Sequence, residues 1–260
     1  MSATAAKTAL LPSLSPFEGA PEAPEGGFSV PPGVRVYAVG DIHGHLGLLR
    51  RLQGMIDTDI AAHSPANIIE VYLGDYIDRG PDSCGVIDHL SRPRPHRTVF
   101  LRGNHEDYPE RFLNGDDVLE MWLHNGGIET LASYGLSVGR MTRPSALRRA
   151  FSAALPSTHL TFLKNLKLAY HLGDVFFVHA GIRPGVPLSA QSRDDLLLIR
   201  REFIEHSPAL PVRVVHGHTP RREPDVTRFR VGIDTGAFAT GRLTCAVLEG
   251  PDVRFLHTGD

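Results

Sequence analysis

The amino-acid sequence predicts an α/β protein, arranged as a layered α/β/β/α sandwich of two mixed sheets with flanking helices and a helical cap insertion. Two observations carry this. Short apolar runs of strand composition alternate with amphipathic stretches from residue 34 onward, and a helical segment punctuated by Gly and Pro interrupts them between about 116 and 165.

Residues 1–33 are rich in Ala, Pro, Ser and Glu and lack a sustained period, so a flexible tail is expected ahead of a single domain over 34–258. The domain opens in a βαβαβ pattern. "VRVYAVG" precedes a helix around 46–57, "NIIEVYLGD" precedes one at about 82–91, and "TVFLRGN" precedes helical residues 105–113. Apolar runs this continuous read as parallel strands covered on both faces. The cap follows as "DDVLEMWLHNGG", "SALRRAFSAAL" and "STHLTFLKN". From 166 onward strands dominate, in "LKLAYHL", "DVFFVHAG", "VRVVHGH", "RFRVGID", "RLTCAVLEG" and "DVRFLH", with one helix near 193–206.

The 260 residues, 42% of them hydrophobic, suffice for a sizeable core. A formal net charge of −2 gives no overall attraction to nucleic acid or to an anionic membrane. No run reaches the roughly 18 apolar residues of a membrane span. Cys84 and Cys245 stand far apart and outside any CxxC spacing. They predict neither a disulfide framework nor a thiolate metal site and fit a cytoplasmic protein.

Five apolar runs end in related clusters: "AVGDIHG", "YLGDYIDRG", "FLRGNHE", "FFVHAG" and "VVHGHTP". Sites gather at the C-terminal ends of strands in α/β sheets, so the five are expected to converge. Each cluster alone also reads as an ordinary turn or helix cap. Five in order, all at strand ends, point to one site. Their Asp, His, Asn and Glu side chains suit manganese, iron, zinc or nickel, and the histidines argue against calcium or magnesium. Two ions about 3.5–4 Å apart would need a shared carboxylate.

The ordered motifs "GDIHG" (40–44), "GDYIDRG" (74–80), "GNHE" (103–106), "HAG" (179–181) and "GHT" (217–219) closely resemble those of calcineurin-like metallophosphoesterases. Within that superfamily they look most like the phosphoprotein phosphatase family in its short bacterial serine/threonine form. The resemblance spans about 37–250 and implies two divalent metal ions, manganese first among them. It implies that Asp41 and His43 hold one ion, that Asp75 bridges both, and that Asn104, His179 and His218 complete the second. His105 would be the general acid, Asp78 its partner, and Arg79 a phosphate ligand. Similar bacterial sequences carry Trp-x-Arg where this chain has Leu198-Ile199-Arg200. Arg200 is therefore a second phosphate candidate, ahead of Arg201.

His45 reads as a residue of the helix start, His216 as strand packing, Asp234 of "IDTGA" as structural, and Trp122 as a packing residue of the cap. The function this implies is phosphomonoester hydrolysis by in-line attack of an activated water, on phosphoserine or phosphothreonine proteins and also on phosphotyrosine or small esters. The alternative is a dinucleoside polyphosphate hydrolase. Glu106 and Asp78 speak against it, because such enzymes typically read "GNHD" and lack the Asp of "DRG". A nuclease is disfavoured by the absence of a concentrated basic stretch, and an inactive scaffold by the complete set of ligands.

Overall fold

The computed structural model describes residues 27–139, 142–205, 210 and 212–259. The expected tail lies outside that range up to residue 26, but its last residues do not behave as a tail. Phe28 and Val30, each 1% exposed, are part of the core. Val30 N donates to Gly250 O at 3.1 Å, and Ser29 N donates to Asp174 Oδ2 at 3.2 Å. Composition hid this because two apolar residues among prolines and glycines make no period.

In chain order the first half holds β1 (Val34–Val39), α1 (Leu46–His63), β2 (Asn67–Tyr72), α2 (Ser83–Leu90), β3 (Arg97–Phe100) and α3 (Asp107–Asn114). The region expected to form the cap holds α4 (Leu119–Trp122), a π-turn at Leu123–Gly127, α5 (Ile128–Ser133), α6 (Pro144–Ala154) and α7 (Ser157–Lys164). After them come β4 (Ala169–Leu172), β5 (Val175–Val178), α8 (Arg193–Leu198), α9 (Arg201–Glu205), β6 (Arg213–His216), β7 (Asp225–Val226), β8 (Arg230–Gly232), α10 (Ala237–Thr240), β9 (Thr244–Glu249) and β10 (Asp252–His257).

The strands form two five-stranded mixed sheets, ordered β10-β9-β1-β2-β3 and β4-β5-β6-β8-β7. β1, β2 and β3 run parallel, while β9 returns antiparallel on the free edge of β1. The sequence alone could not say which sheet the last two strands join. Val36, Ala38 and Val71 of one sheet and Phe177, Val215 and Val231 of the other fill one apolar layer between them. Helices α1 and α2 cover the outer face of the first sheet through Leu49, Leu52, Ile56, Val86 and Ile87. Leu196, Ile199 and Phe203 cover the outer face of the second. Four layers result, as expected.

The register of the parallel strands sets the site. Val39 pairs with Tyr72 and Tyr72 with Phe100, so the chain leaves all three strands at one level, just before Asp41, Asp75 and Asn104. In the second sheet Phe177 pairs with Val215, and His216 with Gly232, which levels His179, His218 and Asp234. The expected helix near 193–206 is two helices, broken where Ile199 turns extended at ψ 139°. Among the described residues no helix is long and apolar enough to cross a membrane.

Phe28 packs against Phe229 with ring centroids 5.6 Å apart. Phe28→Ala is expected to lower the unfolding free energy in a urea titration by about 3–5 kcal/mol. A loss below about 1 kcal/mol would place residues 27–30 outside the folded body.

Candidate active site

Backbone strain marks the site. Of six described non-glycine residues with positive φ, five are expected site residues: His43 (45°), Asp75 (50°), Asp78 (69°), Arg79 (67°) and His218 (62°). Each such conformation costs about 1–3 kcal/mol and persists only where its surroundings enforce it. Two glycines allow the loops to close up. A Cβ on Gly103 would lie 2.1 Å from Asp75 Oδ1, and one on Gly217 would lie 2.0 Å from Asp41 Oδ1.

Asp75 faces both sheets. Its Oδ2 lies 3.6 Å from His43 Nε2, and its Oδ1 lies 3.4 Å from His179 Nε2. His43 Nδ1 donates to Ile77 O at 2.9 Å and His179 Nδ1 to Leu73 O at 3.0 Å, which turns each Nε2 lone pair toward the site. His218 Nδ1 and Asn104 Oδ1 each stand 3.1 Å from His179 Nε2. Two clusters of potential ligand atoms therefore share Asp75: one with His43 and His105, the other with His179 and His218.

These atoms fit a pair of divalent cations. Ligands about 2.1 Å from an ion stand about 3.0–3.4 Å apart, which is close to the spacings here. Burial drives the pKa of His43 down to about 3 and that of His218 to about 2, so both rings are neutral and competent as ligands at neutral pH. Asp41, Asp75 and Asp234 are buried together. Burial first, and then the charges of Asp234 and Asp75, push Asp41 well above the ordinary carboxylate range. Divalent cations would offset that crowding.

Two expected site residues, the ligand Asp41 and the acid His105, also have neighbours outside the expected pattern. Asp41, the intended partner of His43, accepts the His218 amide at 3.0 Å and belongs to neither cluster. His105, expected to stand free of the ions, has Nε2 3.9 Å from Asp75 Oδ2. Its other nitrogen distinguishes it: Nδ1 donates to Asp78 Oδ2 at 2.7 Å, the expected pairing. Burial works against a charged His105, but the Asp75 and Asp78 carboxylates outweigh it and raise the pKa.

Asp78 is itself held from the cap. Trp122 Nε1 donates to Asp78 Oδ1 at 3.0 Å, and Thr130 Oγ1 donates to the same oxygen at 2.6 Å. Trp122 is thus more than a packing residue, although it also packs against Phe112 and Phe151. Glu106 is the other residue whose role the motifs hid. One carboxylate oxygen accepts Asp75 N at 3.0 Å and Gly103 N at 2.8 Å, and the other accepts Tyr76 N at 2.8 Å. It clasps two of the motif loops together. Read within "GNHE", it offered helix-start chemistry and a mark against dinucleotide hydrolases, but not this clasp.

Both arginine candidates reach the site. Arg79 Nη1 donates to His43 Nε2 at 3.0 Å, and its Nη2 stands 3.1 Å from His105 Nε2. Arg200, at the break after α8, donates from Nε to His218 Nε2 at 2.9 Å. Arg201 instead pairs with Glu205 in solvent. The residues set aside fall where expected. His45 precedes α1 as its N-cap residue, His216 packs edge-on against Phe203 at 5.1 Å, and Asp234 accepts Gly236 N at 2.9 Å within its own turn.

Known proteins similar to this chain carry the names of different substrates. A bis(5'-nucleosyl)-tetraphosphatase PrpE [asymmetrical] of Anoxybacillus flavithermus is 28% identical over 228 residues, covering 79% of this chain and 87% of its own. A solved structure described as a candidate diadenosine tetraphosphatase superposes with TM-score 0.59 at 23% identity, over 90% of this chain and 99% of that one. A mutant of a cold-active protein tyrosine phosphatase superposes with TM-score 0.55 at 17% identity, over 88% and 80%. At such identities the two structures speak for the fold alone. The profile of the calcineurin-like phosphoesterases matches residues 34–256, and the chain belongs to that family.

Proposed function

We propose that this phosphoesterase hydrolyses dinucleoside polyphosphates, cutting a phosphoanhydride off-centre to release a nucleoside triphosphate and a nucleoside monophosphate. The observation that carries this is the pair of arginines at the two ends of the Asp75-centred site, Arg79 beside His43 and Arg200 beside His218. Every phosphate of a polyphosphate chain carries negative charge, and a cation at each end of the site suits a chain better than a single phosphoryl group. The relative from Anoxybacillus flavithermus, named a tetraphosphatase, supports the same choice.

In this reading Asp41, His43 and Asp75 would hold one divalent ion, and Asp75, Asn104, His179 and His218 would hold the other. When bound, such ions supply Lewis acidity and charge neutralisation at the phosphoryl group. The chain's own groups do the rest. Arg79 and Arg200 would bind phosphate oxygens at the two ends of the chain and so orient the phosphorus between them. Water, giving up a proton to solvent, adds to phosphorus opposite the leaving oxygen, the bridging P–O bond breaks, and the electron pair leaves on the departing nucleotide. His105, held by Asp78 and raised in pKa, would deliver a proton to that oxygen.

Protein phosphatase activity, which the motifs suggested first, is retained as the second reading. The His105–Asp78 pair favours it, since a serine alkoxide needs a proton donor more than a phosphate does. Of the residues that had argued against dinucleotides, Glu106 does not discriminate, because it clasps backbone amides. Asp78 bears on the leaving group only through His105, and Trp122 and Thr130 hold it from the cap.

Manganese-loaded protein is expected to show a kcat/KM for diadenosine tetraphosphate at least about tenfold above that for a phosphoserine peptide, with ATP and AMP as products on ion-exchange chromatography. A preference for the peptide would reverse the two readings. Asp75→Asn and His105→Ala should each lower turnover by at least about tenfold, and Asp75→Asn should also lower the metal retained after dialysis. An unchanged rate in either would remove that residue from the mechanism. Because Asp78 helps raise the His105 pKa, Asp78→Asn should move the alkaline limb of the pH–rate profile to lower pH. A limb that stays in place would separate Asp78 from the acid.

A further inference from the structure

Five large apolar side chains among the described residues are exposed, and one of them, Phe238, stands over the candidate site. Its ring is 40% exposed. His43 meets it edge-on with centroids 5.5 Å apart, and the Arg79 guanidinium carbon lies 4.6 Å from its centroid. In the sequence Phe238 falls one residue past "IDTGA", outside every motif. The catalytic roles proposed above do not use it.

The backbone presents this ring deliberately. Phe238 lies on α10, a single turn that Gly236 enters and Gly241 leaves, both in the left-handed region at φ 67° and 72°. Asp234 Oδ1 accepts Gly236 N at 2.9 Å, and Thr235 Oγ1 donates to Arg242 O at 2.7 Å, which pins the turn at both ends. Thr240 Oγ1 donates to Thr235 O at 2.9 Å, closing it on itself. An aromatic ring fixed this firmly, yet left open to solvent, loses little entropy when another flat group lies on it.

We infer that Phe238 is the platform on which the site stacks a purine or pyrimidine base of its substrate, while Arg79 holds the adjoining phosphate. This deepens the dinucleotide reading and rests on it. Arg79 links the two parts, since one guanidinium lies against the ring and also faces the histidines of the site. A phosphoserine side chain offers nothing flat to cover the ring, whereas a nucleotide carries its base within a few bonds of the phosphate. The chemistry needed is a π-face, so the platform accepts any base.

The test separates the base from the phosphate. Inhibition constants of AMP and of ribose 5-phosphate, which lacks the base, are measured on the manganese-loaded full chain against hydrolysis of diadenosine tetraphosphate, or of a phosphopeptide if the dinucleotide is not turned over. AMP is expected to bind tighter than ribose 5-phosphate by roughly 5- to 150-fold, the range one base stacked on an aromatic ring supplies. Phe238→Leu and Phe238→Ala should collapse that ratio to near one, and Phe238→Trp should preserve it. Equal affinities in the wild type would overturn the inference, as would a ratio that survives Phe238→Leu. Equal weakening of both ligands would also overturn it, because it would show that the ring only steadies Arg79. Failure to cleave the dinucleotide would instead count against the proposed function, and the AMP ratio would still decide the role of Phe238.

Discussion

One buried carboxylate ties the molecule together. Asp75 is 2% exposed and takes up a left-handed conformation at the end of β2, and it meets His43 from one oxygen and His179 from the other. Burying a carboxylate costs several kcal/mol unless opposite charge or hydrogen bonds offset it. Here burial pushes its pKa up, and His179, His105 and His43 more than reverse that, leaving it below the ordinary carboxylate range. These partners come from both sheets, so neither sheet can shift without disturbing the ionised group between them. The level strand ends place Asp75 within reach of both, and the apolar layer between the sheets holds them at that spacing.

The same logic explains the residues around it. Glu106 satisfies three backbone amides that the turns of "GDYIDRG" and "GNHE" would otherwise leave buried and unpaired, at about 1–3 kcal/mol for each. It stores its own cost, since burial and the Asp75 charge lift its pKa to about 8. Trp122 and Thr130 do the equivalent for Asp78, so the cap is coupled to the orientation of His105 by two hydrogen bonds. A side chain that packs the cap thereby also fixes the tautomer of an imidazole outside it.

Much of this was legible in the sequence, for a physical reason. Metal ligation and phosphate binding need particular residue types at strand ends, and each such cluster is local, so "GDIHG" or "GNHE" can be read without knowing the fold. The layered architecture followed from the alternation of strand and helix patterns. What depends on distant pairing was not legible. Trp122 lies 44 residues from its acceptor Asp78, and Glu106 lies 31 from the Asp75 amide it accepts. Phe28 and Val30 were lost to a proline-rich composition, and the break at Ile199 to a run of residues that favour helix throughout. That break matters, because it places Arg200 beside His218 while Arg201 pairs with Glu205 in solvent.

Substrate choice has to be written outside this frame. A candidate diadenosine tetraphosphatase and a protein tyrosine phosphatase superpose on the chain almost equally well, with TM-scores of 0.59 and 0.55. The fold that builds the site therefore does not by itself say what leaves from phosphorus. Discrimination must come from groups that touch the leaving half of the substrate, and catalysis gains only from contacts that persist into the transition state. Around Arg79 the structure puts Phe238, and two residues from Arg200 it puts the aliphatic, 52% exposed Leu198. The flat surface the site offers to substrate therefore lies on its His43 side, against the arginine that also faces His105.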